Sequence, residues 1–213
     1  MITTLTAVVV AYLLGSVLGS MVAGRFRGVD IRTQGSGNPG GTNALRTQGK
    51  GFAAIVMIVD VGKGMLAAGA VPALAFQFGE PSESLAALQV LCGAAAVVGH
   101  VWPAFFGFRG GKGMATLVGV LAVVAPVALI TVVVVFALVL VLSGYVGLAT
   151  MVATASIIVW CVFAVPAGIA SPLGVFAVAM TVFIIYTHRS NIQRMRAGSE
   201  HRFERLMLLR RWR

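Results

Sequence analysis

Apolar residues occur in long runs along this chain, and short polar segments separate them. The first run covers residues 5–23, which is long enough for a helix to cross a hydrocarbon core about 30 Å thick. Later runs occupy residues 52–78, 85–104, 114–142, 145–165 and 172–187. A signal peptide is disfavoured because no Lys or Arg precedes the first run. The pattern predicts an all-α, polytopic membrane protein.

The run 114–142 is too long for one upright helix and too short for two full spans. At 1.5 Å per residue it would extend about 43 Å, whereas two full spans need roughly 40 residues. Pro126 lies near its middle and predicts a break into two short helices. We therefore expect a bundle of seven transmembrane helices, two of them short, in a single domain covering residues 1–213.

Charge sets the orientation of this bundle. Only 10% of the residues are charged and 59% are apolar, which disfavours a soluble domain, so the net charge of +10 indicates topology rather than nucleic-acid binding. Arginines and lysines in segment 24–51 place it in the cytosol, and the acidic loop around Glu80 then lies outside. Seven spans put the N-terminus outside and the basic C-terminal tail in the cytosol of a cell-membrane protein. Residues 203–212 alternate apolar side chains with arginines, which suggests a helix on the anionic leaflet.

The first informative polar segment, residues 35–50, reads GSGNPGGTNALRTQGK. Its glycines allow backbone amides to converge on an anion. Either Thr42 or Asn43 is expected to cap a short helix that begins near Ala44, and Arg46 would offer a planar fork for a phosphate. The candidate anion site of this segment comprises Gly35, Ser36, Gly37, Asn38, Thr42, Asn43 and Arg46. A flexible surface loop is the alternative that composition leaves open.

The second segment, residues 99–116, reads GHVWPAFFGFRGGKGMAT. Its cations and glycines immediately precede a predicted helix, so they would surround the positive helix end. The candidate ligands are Arg109, Gly110, Gly111, Lys112 and Gly113. The pattern is not GxxxxGK[ST] and follows no strand, so it does not indicate nucleotide binding. Simple anchoring of the cations on the cytosolic side is the alternative.

The third segment begins at His188, where the last run ends, and Asn191 would share a helical face with it. All three segments are expected on the cytosolic side, which suggests one composite site. Asp60 and Lys63 are charges within an apolar run, and they are either functional or a structural ion pair. No His, Cys and carboxylate spacing indicates a metal site, and no cofactor is expected.

These three segments resemble, in order and spacing, the motifs of the bacterial membrane acyltransferases that acylate glycerol 3-phosphate from acyl phosphate, the PlsY family. The third motif reads HRSNIQRMRAGSE here. The resemblance implies that Ser36 and Arg46 are essential and that the glycines around Lys112 bind glycerol 3-phosphate. It further implies that His188 and Asn191 support activity, and that Glu200 holds structure.

The expected reaction is a direct transfer of the acyl group to the 1-hydroxyl of glycerol 3-phosphate, which yields lysophosphatidic acid and phosphate. The proton would pass to His188 or to a substrate phosphate, and the phosphate is favoured. The expected partners are the two substrates and membrane lipid, with no nucleic acid and no obligate protein partner. The alternatives are a carrier or channel for an organic phosphate, and a structural or scaffold protein.

Overall fold

The computed structural model describes residues 1–204, 207 and 208. Those residues form α-helices and short 3-10 turns without a strand, which confirms the all-α prediction. The helices are α1 (Ile2–Gly15), α2 (Gly19–Arg27), α3 (Gly41–Ala68), α4 (Ala70–Phe78), α5 (Leu85–Val101), α6 (Met114–Val124), α7 (Pro126–Ser143), α8 (Val146–Ala164), α9 (Pro172–Thr187) and α10 (Arg189–Arg196). The predicted tail helix falls largely outside the described residues, since Leu206, Leu209 and Trp212 are not among them.

Several helices have the length and composition of membrane spans. Four continuous stretches qualify within the described part of the chain, namely residues 41–78, 85–106, α7 and α8. Two bent pairs, α1 with α2 and α9 with α10, qualify when each pair is taken together. On α7, the side chains of Val127, Ile130 and Val134 are each more than half exposed, which suits hydrocarbon rather than water. The fold is that of a multi-pass membrane protein.

The helices group into two compact units, residues 1–124 and residues 125–213. In the first unit, α3 packs on α6 and α1 packs on α5. Glycines allow these close approaches: a Cβ added to Gly119 would overlap the carbonyl oxygen of Val61, and one added to Gly15 would overlap the backbone of Ala96. In the second unit, α8 packs between α7 and α9.

Run 114–142 divides where the sequence predicts, but not into two short helices. The break at Pro126 is confirmed, because Ala125 leaves the helical conformation and Pro126 begins α7. Of the two helices in run 114–142, α6 is short, with 11 residues, whereas α7 has 18 residues. The expectation of two short helices is therefore wrong for α7.

The run 5–23 is not one helix, because it bends by 40° between α1 and α2. Run 52–78 is divided at Gly69 between α3 and α4, although the two together qualify as one span. No proline lies in the first of these runs, but the Gly-Ser pairs at residues 15–16 and 19–20 lie at the bend. A buried ionic cluster, described below, contacts the backbone at the same place.

Candidate active site

The first glycine-rich loop is held by the amide of Asn43. Its Oδ1 accepts a hydrogen bond from the Ser36 amide at 3.0 Å, and its Nδ2 donates to the carbonyls of Ile31 and Gln34 at 3.1 and 3.0 Å. Asn43 is only 2% exposed. Gly35 and Gly37 have φ values of +56° and +71°, which allow the chain to turn back over this side chain. The loop is thus an ordered structure rather than a flexible linker.

The expected helix cap is wrong. Helix α3 begins at Gly41 with Gly40 as its N-cap, and no side chain caps it. Thr42 and Asn43 therefore lie inside the first turn of α3. The Asn43 side chain bonds to the preceding loop instead of capping the helix. A short helix is nevertheless present, since Gly49 leaves the helical conformation at φ +80° and ψ −178° and kinks α3 after Gln48.

The ligands proposed in this loop lie on its surface. The residues Gly35, Ser36 and Arg46 are exposed, whereas Gly37, Asn38 and Thr42 are partly buried. Arg46 follows Asn43 by three residues in the short N-terminal part of α3. Ser36 thus lies in the loop that Asn43 holds, and Arg46 lies about one helical turn after Asn43.

The second glycine-rich loop folds back onto the end of α5. The amides of Gly110 and Gly111 donate to the carbonyls of Val101 and His100, each at 3.0 Å. Helix α6 begins at Met114, directly after Gly113, as predicted. Since the Gly110 and Gly111 amides are already paired within the chain, an anion at this loop would meet the first turn of α6 and the side chain of Lys112 instead.

A buried ionic cluster lies beneath the second loop. The Lys63 ammonium contacts Asp60 Oδ1 at 3.0 Å, His100 Nδ1 at 2.9 Å and the Val17 carbonyl oxygen at 2.6 Å. Asp60 Oδ1 also accepts from the Gly19 amide at 3.1 Å. None of Asp60, Lys63 and His100 is more than 3% exposed.

This cluster pairs the backbone groups that are free at the bend between α1 and α2. A continuous helix would pair the Val17 carbonyl and the Gly19 amide internally. At the bend these two groups are instead directed at Lys63 and Asp60, which need a compensating acceptor and donor because they are buried. The predicted pairing of Asp60 with Lys63 is present, and it is part of a larger network.

Arg32, just before the first loop, contacts the second loop directly. Its Nη1 donates to the Phe106 carbonyl of the second loop at 3.3 Å, and its Nε and Nη2 donate to Asp30 at 2.7–3.1 Å. The hydrogen bonds from Arg32 lower the pKa of the Asp30 carboxyl below its usual value. Arg32 thus brings the first and second segments side by side within the first unit.

The third segment belongs to the second unit. His188 ends α9 and is 5% exposed, and its Nδ1 lies 2.8 Å from the Ile184 carbonyl oxygen. That contact makes Nδ1 the protonated nitrogen of the neutral ring and leaves Nε2 as the basic one. Asn191 donates to Glu200 Oε1 at 2.7 Å, and Arg194 donates to Glu200 Oε2 at 2.6 Å. Glu200 therefore ties α10 to the turn that follows it.

Two residues at the site were not singled out from the sequence. His100 stands inside the second motif, but the cations around Gly111 carried the interpretation of that segment. The sequence signal that could have indicated His100 was the charged pair Asp60 and Lys63, because a buried pair leaves polar atoms that need further partners. Arg32 appears in the sequence as one of several cations of a cytosolic segment, and only the fold shows that it reaches Phe106.

Comparison with known proteins gives a consistent result. A family model described as glycerol-3-phosphate acyltransferase matches residues 5–198. The glycerol-3-phosphate acyltransferase of Aquifex aeolicus is 39% identical over 198 residues, which cover 92% of this chain and 97% of that protein. That of Clostridioides difficile is 41% identical over 196 residues, covering 91% and 92%.

Two crystal structures of PlsY, an integral membrane glycerol 3-phosphate acyltransferase, have similar folds. The glycerol 3-phosphate form has a TM-score of 0.81 at 38% identity, and the lysophosphatidic acid form has 0.79 at 37%. Each comparison covers 94% of this chain and 95% of the solved chain. With a matching family model over most of its length and relatives of this identity, the chain belongs to the glycerol-3-phosphate acyltransferase family.

Proposed function

We propose that this protein transfers a fatty acyl group from acyl phosphate to the 1-hydroxyl of glycerol 3-phosphate, releasing lysophosphatidic acid and inorganic phosphate. Its family membership makes it a glycerol-3-phosphate acyltransferase. The observation that carries the proposal is the hydrogen bond from Arg32 to Phe106, which joins the chain just before the first glycine-rich loop to the second loop. Arg46 follows the first loop on α3, and Lys112 lies in the second loop. Two anionic groups are what such a paired arrangement accommodates.

The proposed reaction is a direct transfer. The 1-hydroxyl oxygen bonds to the acyl carbon, the bond from that carbon to the phosphate oxygen breaks, and the hydroxyl proton passes to a phosphate oxygen. Arg46, Lys112 and the first turn of α6 would stabilise the negative charge that develops. Ser36 would donate a hydrogen bond rather than act as a nucleophile, because phosphate is already a good leaving group.

The proposed topology has seven spans, with the N-terminus outside and the site on the cytosolic side of the cell membrane. Residues 41–78, 85–106, α7 and α8 supply four spans, and the bent pairs α1 with α2 and α9 with α10 supply two. The apolar α6 would be the seventh. Membrane lipid would surround this bundle, and the acyl chain would lie between helices.

Purified protein in detergent tests this function directly. With acyl phosphate and glycerol 3-phosphate together, we expect phosphate release that requires both substrates. Arg46→Ala and Lys112→Ala should each lower kcat by about a hundredfold, because each removes a charged donor from the transition state. Lys50→Ala is the matched control, since it removes an exposed cation near Arg46 from outside the site.

Two further variants test the chemistry. Ser36→Ala should lower the rate, because it removes a hydrogen-bond donor. The wild type should show no acylated form, and an acyl-Ser36 adduct in its mass spectrum would contradict direct transfer. His188→Ala should keep a tenth or more of the wild-type kcat if a phosphate accepts the proton. A larger loss would favour His188 as the base.

A carrier for an organic phosphate is the competing function. It also needs cations among helices, but it predicts uptake of glycerol 3-phosphate into vesicles without release of phosphate from acyl phosphate. A scaffold protein predicts that Arg46→Ala and Lys112→Ala change nothing. Turnover that requires both substrates contradicts both alternatives.

A further inference from the structure

We propose that the buried cluster of Asp60, Lys63 and His100 acts as a set of positioning residues that fixes the second glycine-rich loop for phosphate binding. The proposal rests on the proposed function for the identity of the ligand. It goes beyond that function by assigning a role in substrate affinity to three residues that are too deeply buried to touch a soluble substrate.

The hydrogen-bond inventory of Lys63 is complete. A lysine ammonium has three N–H groups, and here three acceptors surround it: the Val17 carbonyl, Asp60 Oδ1 and His100 Nδ1. The same Nδ1 lies 3.5 Å from Asp60 Oδ1. An Nδ1 that accepts from the Lys63 ammonium belongs to a neutral ring with its proton on Nε2. Asp60 and Lys63 cancel in charge, so the cluster as a whole is neutral and these directional contacts set its geometry.

The opposite side of the His100 ring supports the loop. A Cβ added to Gly111 would overlap His100 Nε2, so the ring lies directly against the backbone of this glycine. The Gly111 amide also donates to the His100 carbonyl at 3.0 Å. Both the ring and the backbone of His100 therefore hold Gly111, the residue that immediately precedes Lys112.

The cluster also spans three helices. Asp60 and Lys63 lie on α3, His100 lies near the end of α5, and the groups of Val17 and Gly19 come from the bend between α1 and α2. Stability alone does not require ions here, because buried ion pairs are often replaced by apolar residues without loss. An ionic cluster does supply directional contacts, and directional contacts are what a binding loop needs for a fixed backbone.

The test compares His100→Asn with Gly93→Ala. Asn can present an acceptor near the position of Nδ1, so it keeps a partner for Lys63 while removing the ring from beneath Gly111. Gly93 lies on the same helix α5 but away from the loop, and its new methyl would lie about 2.5 Å from Val120 Cγ1, so Gly93→Ala is the control for disturbed packing. His100→Ala serves as the stronger variant, and Asp60→Asn combined with Lys63→Met removes the ions without leaving one unpaired.

For His100→Asn we expect the KM for glycerol 3-phosphate to rise about tenfold, with the KM for acyl phosphate and the Tm in detergent little changed. Gly93→Ala should lower Tm and leave both KM values unchanged. A wild-type KM for glycerol 3-phosphate in a folded His100→Asn and in the Asp60→Asn/Lys63→Met variant would overturn the proposal while leaving the acyltransferase function intact.

Amide hydrogen exchange provides a readout that does not depend on turnover. We expect His100→Asn to speed exchange at Gly110 and Gly111 about tenfold, with exchange in the first loop around Ser36 unchanged. Unaltered exchange at Gly110 and Gly111 would overturn the positioning role even if the wild type showed no acyltransferase activity. A wild type without turnover would contradict the proposed function separately.

Discussion

Asn43 is the residue on which the first loop most depends. Its side-chain amide makes three hydrogen bonds to the backbone of this turn. We expect Asn43→Ala to raise the KM for glycerol 3-phosphate and cost about 1–3 kcal/mol of stability, because the turn loses all three of these hydrogen bonds. Steady-state kinetics and thermal unfolding in detergent measure the two effects.

Thr47→Val is the control for this prediction. The Thr47 hydroxyl donates to the Asn43 carbonyl at 2.9 Å within the helix, and Val keeps the methyl group that packs near Gly35. We expect only a small change in KM from this variant. Equal effects of Thr47→Val and Asn43→Ala would show that general helix stability, rather than the loop contacts, governs binding.

The Asp30–Arg32 pair gives a prediction about pH. Arg32 lowers the pKa of Asp30 in the folded protein, so the pair stabilises the fold above the unfolded value near 3.8 and loses this contribution as pH falls through the lower folded value. Both side chains are partly exposed, which limits the gain to about 1 kcal/mol at most. The Tm of the wild type should therefore exceed that of Asp30→Asn at pH 7, and the difference should shrink as pH falls below about 3.8 and disappear below the lower pKa of the folded protein. A difference that persists unchanged into acid would contradict the ion-pair explanation.

At single residues, the sequence predicts candidate ligands better than it predicts the residues that hold the loops in place. Arg46 and Lys112 stand out because cations beside glycines indicate an anion site. Asn43 was expected as a cap and as a ligand, yet its amide holds the loop. His100 went unnoticed, since its partners are 37 and 40 residues away on α3 and only folding brings them together.

At the scale of an element, the kink in α3 is set by one glycine. Gly49 has φ +80° and ψ −178°, a conformation that only glycine adopts readily, and a Cβ there would meet open space. Gly49→Ala should therefore cost about 1–3 kcal/mol through backbone strain alone. If the helix straightens instead, the segment that carries Arg46 is redirected and activity falls.

Gly51→Ala is the matched control. Gly51 also has open space around its Cα, but it lies in the helical part of α3. Alanine at this position should raise stability by about 0.5–1 kcal/mol, because glycine is unfavourable inside a helix. Thermal unfolding of the two variants should thus shift in opposite directions. A shift of both unfolding temperatures in the same direction would show that the backbone at Gly49 does not require glycine.

The breaks between helices show what apolar patterns can and cannot predict. Pro126 removes an amide and fixes its own φ, so the break before α7 follows from local chemistry. The bend between α1 and α2 has no proline; Gly-Ser pairs lie there, and its free backbone groups are paired by Asp60 and Lys63 from another helix. Local patterns therefore locate a break, but they do not show which tertiary contacts complete it.

At the scale of the whole molecule, membrane insertion and chemistry draw on the same residue types. Some glycines permit close helix contacts, as at Gly119, and others turn the chain in the loops, as at Gly35. The cations divide in the same way between orientation and the proposed phosphate contacts. Composition alone predicts a membrane protein, but only position within a motif separates these two uses.

The seven-span topology depends on α6, which at 11 residues would extend only about 16 Å. If α6 and α7 each cross the membrane, the end of α7 at Leu142 lies on the same side as Ala104 before α6. If they form a single span, Leu142 lies on the opposite side, together with Glu80. The two cysteines of the chain, Cys92 and Cys161, are buried, so replacing them gives a background for labelling.

We therefore expect Ala104→Cys and Leu142→Cys to react with an impermeant maleimide only after the membrane is permeabilised. Glu80→Cys should react in intact cells. The proposed cytosolic placement of the loop at Ala104 rests on the positive charges of Arg109 and Lys112, which follow it closely. Labelling of Leu142→Cys in intact cells would contradict the separate crossing of α6. Because the second glycine-rich loop lies directly before α6, that result would leave its proposed cytosolic placement unchanged and would move the third motif to the outer face.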